Sequence, residues 1–323
     1  MKSVLVTGGA GYIGSHTVRM LCDLGYDVTV LDNLVYGHRE AVDQRARFFK
    51  ADLLVPENLE CVFNSCSIDA VIHFAAFAYV GESVHEPEKY YINNVAGTLN
   101  LLKCMRKNKV NNIIFSSTCA TYGEATKNPL DETQLQKPIN PYGRSKLIIE
   151  KILSDYHKSY GLNYIALRYF NAAGCSNDGK LGESHNPETH VIPLVLRSLR
   201  NRTKFHIFGT DYETPDGTCI RDYVHVEDLA DAHVRAMENV EKFSGCINLG
   251  TGTGTSVRQI INAAEDASGL KCPIEEDLRR PGDPSCLTAD NSLANKVLGW
   301  QPHHSNIREI VTTAWQWEEH RRY

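Results

Sequence analysis

The chain has 323 residues, 42% hydrophobic and 23% charged. This is the balance of a globular protein with one large α/β unit or two intimate domains. A formal net charge of −5 and the absence of basic runs leave no electrostatic footprint for a nucleic-acid partner. No apolar stretch is long enough to span a bilayer, the strongest being Ala70 to Val80, which contains His73.

In chain order, Val4-Leu5-Val6-Thr7 is β-branched and apolar and empties into Gly8-Gly9-Ala10-Gly11-Tyr12-Ile13-Gly14. An amphipathic segment, Tyr12 to Leu24, follows. Strand, glycine turn and helix in that order form a dinucleotide cradle, in which glycine lets backbone approach a pyrophosphate at a helix N-terminus. Val28 to Asp32 is a second strand ending in an acid. Asp32 stands near the spacing at which a carboxylate accepts hydrogen bonds from an adenosine ribose.

Ala46 to Lys50 reads as a strand leading into Asp52, on the carboxyl rim where ligands of open α/β sheets bind. Asp52 is placed either to accept from an adenine amino group or to cap a helix. Ala70 to Ala76 is apolar throughout, as a central parallel strand should be. Pro87 to Asn108 is a long helical stretch, Asn112 to Thr118 a strand ending in hydroxyls, Pro141 to Tyr160 a helix stopped by Gly161, and Leu162 to Tyr169 a strand. This alternation predicts a Rossmann-like, doubly wound parallel sheet. Beyond Asn171 the pattern loosens into a smaller mixed α/β lobe. It has a helix from Val191 to Arg200, a strand from Lys204 to Phe208, a loop from Asp211 to Gly217, a strand from Cys246 to Leu249, and helices over Val257–Ala267 and Asn306–Trp317. The expected division is residues 1–172, with about 221–250 returning to it, and 173–323 for substrate.

Only Val4 to Val6 are apolar between Lys2 and the glycines, so no targeting segment is expected. The ten cysteines contain no CxxC pair and no HExxH occurs. Neither a disulfide framework nor a metal site is expected, and a reducing cytoplasm suits the chain.

Tyr142 and Lys146 lie at i and i+4 of the Pro141 helix, on one face. A phenol with an ordinary pKa of about 10 is a poor base near neutrality. A neighbouring ammonium and an oxidised nicotinamide would stabilise the phenolate and lower that value. The strand ending at Thr118 delivers a hydroxyl to the same rim. Cofactor cradle, hydroxyl and tunable phenol together describe proton abstraction from an alcohol coupled to hydride transfer.

With the glycine turn, Ser116-Ser117-Thr118 and Tyr142-Gly143-Arg144-Ser145-Lys146, the sequence resembles the extended short-chain dehydrogenase/reductase family, and within it the UDP-sugar 4-epimerases. Leu31-Asp32-Asn33-Leu34, Val80-Gly81-Glu82-Ser83, Arg168-Tyr169-Phe170-Asn171, Arg221-Asp222-Tyr223-Val224-His225-Val226 and Arg280-Pro281-Gly282-Asp283 also match. The resemblance implies oxidation of UDP-glucose or UDP-galactose at C4 with hydride passing to NAD, turnover of the 4-keto sugar, and return of hydride to its other face. It implies Tyr142 as acid/base, Lys146 on the nicotinamide ribose and tuning Tyr142, and Thr118 on the same hydroxyl. Gly8, Gly11, Tyr12, Ile13, Asp32, Asn33, Asp52, Leu53, Phe74, Ala75, Asn93 and Tyr169 would surround NAD. Asn171, Val191, Phe208, Arg221, Arg280 and Asp283 would line the UDP-sugar site, and the chain would be a homodimer.

Three positions depart from the family pattern. Ala78 stands where lysine is common, and His190 where asparagine is common. Leu287 stands at the pocket-gating position where some members have tyrosine, so room for an N-acetyl group, and hence acceptance of UDP-N-acetyl sugars, is expected. A 4,6-dehydratase would need an Asp-Glu pair after Thr118, where Cys119-Ala120 stands. A pentose or uronate 4-epimerase and a non-catalytic NAD-binding regulator are the remaining alternatives, and the intact Tyr142, Lys146 and Thr118 argue against the regulator.

Overall fold

The computed structural model describes residues 2–124, 127–280 and 283–323. Pro281 and Gly282 of the Arg280–Asp283 motif lie outside the described residues. The chain runs β1 (Ser3–Thr7), α1 (Tyr12–Asp23), β2 (Asp27–Asp32), β3 (Arg47–Lys50), α2 (Pro56–Ser65), β4 (Ala70–His73), α3 (Val80–His85) and α4 (Pro87–Tyr90). A π-helical turn, Tyr91–Ala96, leads into α5 (Gly97–Lys107), then β5 (Asn112–Ser116), α6 (Pro141–Tyr160), β6 (Asn163–Tyr169) and β7 (Asn171–Ala173). The remainder is α7 (Val191–Asn201), β8 (Phe205–Phe208), β9 (Ile220–Arg221), β10 (Tyr223–His225), α8 (Val226–Asn239), β11 (Gly245–Leu249), β12 (Thr255–Ser256), α9 (Val257–Ser268), β13 (Ile274–Asp277), β14 (Cys286–Leu287), α10 (Ser292–Leu298) and α11 (Ile307–Glu319).

Seven parallel strands form the main sheet in the order β11-β6-β5-β4-β1-β2-β3. The winding direction reverses between β1 and β4, and the crevice at such a reversal is where open α/β sheets bind ligands. Residues of β1 show why its run is uniformly apolar. Val4 and Val6 join Val18, Val30 and Leu229 in a core beneath α1 and α8, which pack together. Leu5 points the other way into a core with Leu31, Val71, Leu101 and Ile149, beneath α2, α5 and α6. Both faces are covered, so no polar alternation survives. Each such side chain contributes roughly 1.5–3 kcal/mol by its burial.

The later elements form three small sheets, β7 with β10, β8 with β13, and β9 between β12 and β14. Helices α7, α9 and α11 pack on one another around Val195, Leu199, Ile260 and Ile310. The sequence reading omitted α2 and α8. Helix α8 carries apolar residues at 226, 229, 230, 234 and 237, a helical period that was legible but unread. Among the described residues no helix is long and apolar enough to cross a membrane.

Candidate active site

The glycine turn sits at the winding reversal. Gly8 has φ +72°, and a Cβ there would lie 2.5 Å from the backbone nitrogen of Ala75. A Cβ on Gly14 would meet the Gly8 carbonyl at 2.2 Å, so this glycine sets how closely α1 approaches β1. Gly11 is the N-cap of α1 and offers no side chain to its amides, and the first turn holds no acid. Those amides, which have no carbonyl partner within the helix, face a cavity of about 1120 Å³.

Along that cavity Asp32 accepts from Ala10 N–H at 3.0 Å and from Leu34 N–H at 2.9 Å. Burial pushes its carboxyl up, against those two bonds. Asn33 donates to Asp52 Oδ2 at 3.0 Å, and Asp52 Oδ1 accepts from Leu54 N–H at 2.8 Å. Asp52 therefore shapes a turn before α2, whose N-cap is Val55. Gly8, Gly11, Tyr12, Ile13, Asp32, Asn33, Asp52, Leu53, Phe74, Ala75, Asn93 and Tyr169 all contribute to the wall.

The predicted long helix over 87–108 is continuous but widened at Tyr91–Ala96, where a π-helical turn interrupts it. Such turns re-aim side chains at functional sites. Asn94 uses this geometry to accept from Phe77 N–H at 2.8 Å and donate to Phe77 carbonyl at 3.0 Å. It pins the loop after β4 and receives Asn93 at 2.9 Å.

Thr118, Tyr142 and Tyr169 reach the cavity from the end of β5, the first turn of α6 and the end of β6. Asn140 caps α6 by accepting from Gly143 N–H at 2.8 Å, which fixes the turn bearing Tyr142. Tyr169 and Ser116 share a hydrogen bond of 2.6 Å between hydroxyls. Lys146 lies behind the wall, donating from Nζ to the Ser116 carbonyl at 2.7 Å, with Nζ 5.9 Å from the centre of the Tyr142 ring. Burial pushes the Tyr142 phenol well above its ordinary value; Tyr169 adds to the rise and a hydrogen bond with Thr118 opposes it. Burial also draws Lys146 down to about 7, against the pull of Glu150. The expected lowering invokes the ammonium together with an oxidised nicotinamide; for the protein alone, desolvation of the buried phenol is the largest influence.

Beneath these groups, Glu150 accepts from Arg168 at 2.9 and 2.7 Å, from Ser117 at 2.5 Å and from Gln136 at 2.7 Å. This buried, fully bonded carboxylate ties α6 to β5 and β6, and so holds Tyr142 and Thr118 in register.

The residues expected on the substrate side divide. Asn171 and Arg280 line the cavity, and Asn171 is fixed by donating to the Asp222 carbonyl at 2.8 Å. Val191, Phe208, Arg221, Asp283 and Leu287 do not contribute to its wall. The Arg280 guanidinium lies over the Phe208 ring at 4.0 Å, so Phe208 is an aromatic support for an arginine in this structure. Arg221 is ion-paired with Asp283. Leu287 pairs with Arg221 across β14 and β9 and packs on a cluster containing Tyr122, Leu130 and Phe170. Phe170 and Cys119 themselves border the cavity, so Leu287 stands one layer behind it. Ala78 lines the cavity.

The sequence reading missed Glu183, His185 and Glu188, which line the cavity with His190. Their E-x-H-x-x-E-x-H spacing was visible but matched none of the metal motifs sought.

A family model described as the NAD dependent epimerase/dehydratase family matches residues 4–250. The chain is 48% identical over 320 residues to the UDP-glucose 4-epimerase of Lacticaseibacillus casei, covering 98% of this chain and 97% of that one. It superimposes with TM-score 0.95 and 50% identity on a UDP-glucose 4-epimerase from Brucella ovis in complex with NAD, covering 98% of each. A UDP-glucose 4-epimerase from Bifidobacterium longum in complex with NAD+ and UDP aligns with TM-score 0.93 and 38% identity, covering 99% of each.

Proposed function

The chain belongs to the NAD dependent epimerase/dehydratase family, and from that premise we propose that it interconverts UDP-glucose and UDP-galactose at sugar carbon 4 with NAD as its cofactor. The observation that carries this reading is the meeting of the glycine turn, Asp32, Thr118 and Tyr142 on one cavity.

The residues present suit NAD. The Gly8 to Gly14 turn leaves room at the α1 N-terminus for a pyrophosphate, where added Cβ atoms would strike backbone. The buried Asp32 carboxylate suits a ribose diol and would repel a 2′-phosphate. When bound, NAD supplies the hydride acceptor and donor for the exchange at carbon 4. Tyr142 takes the proton of the 4-hydroxyl as the carbonyl forms and returns it on reduction, while Thr118 hydrogen-bonds the same oxygen. Burial favours the neutral phenol, the form that returns the proton on reduction, and positive charge beside it favours the phenolate, the form that accepts the proton on oxidation. Lys146, which stands behind the wall on the Ser116 carbonyl, would turn its ammonium to the nicotinamide ribose to hold it and keep that charge close. Arg280, braced on Phe208, and Asn171 contact the UDP-sugar, whose diphosphate suits a guanidinium fork. The Arg221–Asp283 pair stands behind them.

A homodimer fits the outer surface. Val84, Ile92, Leu99 and Ile148 are exposed on α3, the π-helical turn, α5 and α6, elements that pack against one another, and a second copy would cover them. Light scattering on the eluting protein reads the mass. Ten unpaired thiols accord with a cytoplasmic setting. Acceptance of UDP-N-acetyl sugars is a second reading, favoured by Leu287 packing on the cluster whose member Phe170 borders the cavity.

The deciding experiment incubates the protein with UDP-galactose without added NAD and follows UDP-glucose. Formation of UDP-glucose supports the reading; a NAD-loaded protein that converts neither sugar overturns it.

A further inference from the structure

We propose that Glu183, His185, Glu188 and His190 form a binding site for one divalent transition-metal ion of the zinc class, set in the wall of the cavity. One ligand atom from each of the four lies within 4.8 Å of all the others. His185 Nδ1 is 3.0 Å and His190 Nδ1 2.8 Å from the same oxygen, Glu183 Oε1, and His190 Nδ1 is 2.9 Å from Glu188 Oε1. Ligands placed tetrahedrally about 2.0–2.1 Å from zinc stand roughly 3.3 Å apart. These close pairs would part by about half an ångström to admit the ion, while the cluster as a whole, spread over up to 4.8 Å, would draw together.

One polar atom of the cluster points to a missing ligand, and a second unpartnered one belongs to a residue whose ring stands against it. Glu188 Oε2 is buried with no hydrogen-bond partner, although Arg197 forms an ion pair with it at 3.6 Å. The Tyr79 hydroxyl also lacks a partner although the residue is only 9% exposed. Its ring stands edge-on to His185, with centroids 5.9 Å apart. Buried polar groups of this kind are rare without an unseen partner. The loop itself is built. Glu188 Oε1 accepts from the backbone N–H of Thr189 at 2.8 Å and of His190 at 3.0 Å, and the Glu183 carbonyl accepts from Trp317 Nε1 at 2.8 Å.

Donor chemistry selects the ion. Two imidazoles with two carboxylates suit Zn2+, Co2+ or Ni2+, whereas Mg2+ and Ca2+ prefer all-oxygen shells. Charge gives the site a purpose, an argument that rests on the function proposed above. Two carboxylates in the wall of a cavity that receives a diphosphate are offset only in part by His190 and Arg197 beside them, and a divalent cation completes the balance.

The test reads binding, not turnover, so it stands or falls separately from the epimerase reading. Chelator-dialysed, NAD-loaded protein is titrated calorimetrically with Zn2+, and metal content is measured after dialysis. One ion per chain is expected, undisplaced by excess Mg2+. The H185Q/H190Q variant should bind at least about 100-fold more weakly, beyond the usual cost of losing an outer-shell partner. Glu188→Gln serves the same purpose should the double variant fail to fold. Co2+ should give the visible spectrum of a four-coordinate nitrogen and oxygen site. Equal binding by wild type and variants, or a thiolate charge-transfer band placing the ion on cysteine, overturns the proposal.

Discussion

Lys146 donates from Nζ to the carbonyl of Ser116 at 2.7 Å, which ties the fourth residue after Tyr142 on α6 to the last residue of β5, two before Thr118. The two elements bearing the proposed acid/base and its hydroxyl partner are thereby locked together by one buried lysine.

If Tyr142 moves the substrate proton, Tyr142→Phe should lower kcat by about 10²–10⁴, the usual worth of a general acid/base. The bound NAD should be unaffected. Turnover of UDP-galactose and the NAD released on denaturation check the two halves. Unchanged turnover would remove Tyr142 from the mechanism.

Four histidines make folding sensitive to acid. Burial draws His16, His225 and His233 down to about 4 and His73 to about 3. Below pH 6.5 the unfolded chain binds protons that the folded chain refuses, so the free energy of unfolding falls as pH falls. Each group contributes a slope of about 1.4 kcal/mol per pH unit until its folded value is reached. His73 bridges the Thr7 and Thr98 hydroxyls at 2.7 and 2.8 Å. Denaturant unfolding of His73→Gln between pH 6.5 and 4 should show a slope shallower by one proton; parallel curves would contradict this.

Gly8→Ala should be costly, because the left-handed φ and contact with Ala75 backbone act together. Strain of about 1–2 kcal/mol for the backbone and 1–3 kcal/mol for overpacking is expected. Denaturant titration reads the loss, and NAD content should fall with it because the turn must move. Gly25→Ala is the control: its φ is also positive but its Cβ would meet nothing within 4 Å, so only the backbone strain remains.

Leu287→Tyr tests sugar selectivity from one layer behind the cavity. An aromatic ring pressing on the cluster that contains Phe170 should cut UDP-GlcNAc turnover by about 10–200-fold, the range available to a steric pocket. UDP-glucose turnover should fall far less. A wild-type protein that never converts UDP-GlcNAc, or a variant that loses both sugars equally, ends the selectivity argument.

Most of the sheet was legible because its signals are local. The apolar run of β1, the glycine turn, the acid ending β2 and the i, i+4 pair of Tyr142 and Lys146 each lie within a few residues, and dihedral preference and helical period act over that range. The π-helical turn was not legible. It depends on Asn94 meeting the backbone of Phe77, and nothing local to Tyr91–Ala96 announces that contact.

By itself, then, the sequence determined the cofactor cradle and the chemistry-bearing residues, since spacing along one turn or one helix places them. Only tertiary structure decided their surroundings. It put Arg280 over Phe208, paired Arg221 with Asp283, withdrew Leu287 behind Phe170 and buried the Tyr142 phenol so that desolvation raises it. Each of these outcomes depends on how much water is excluded and on which distant segment does the excluding, and pairwise spacing along the chain carries neither quantity.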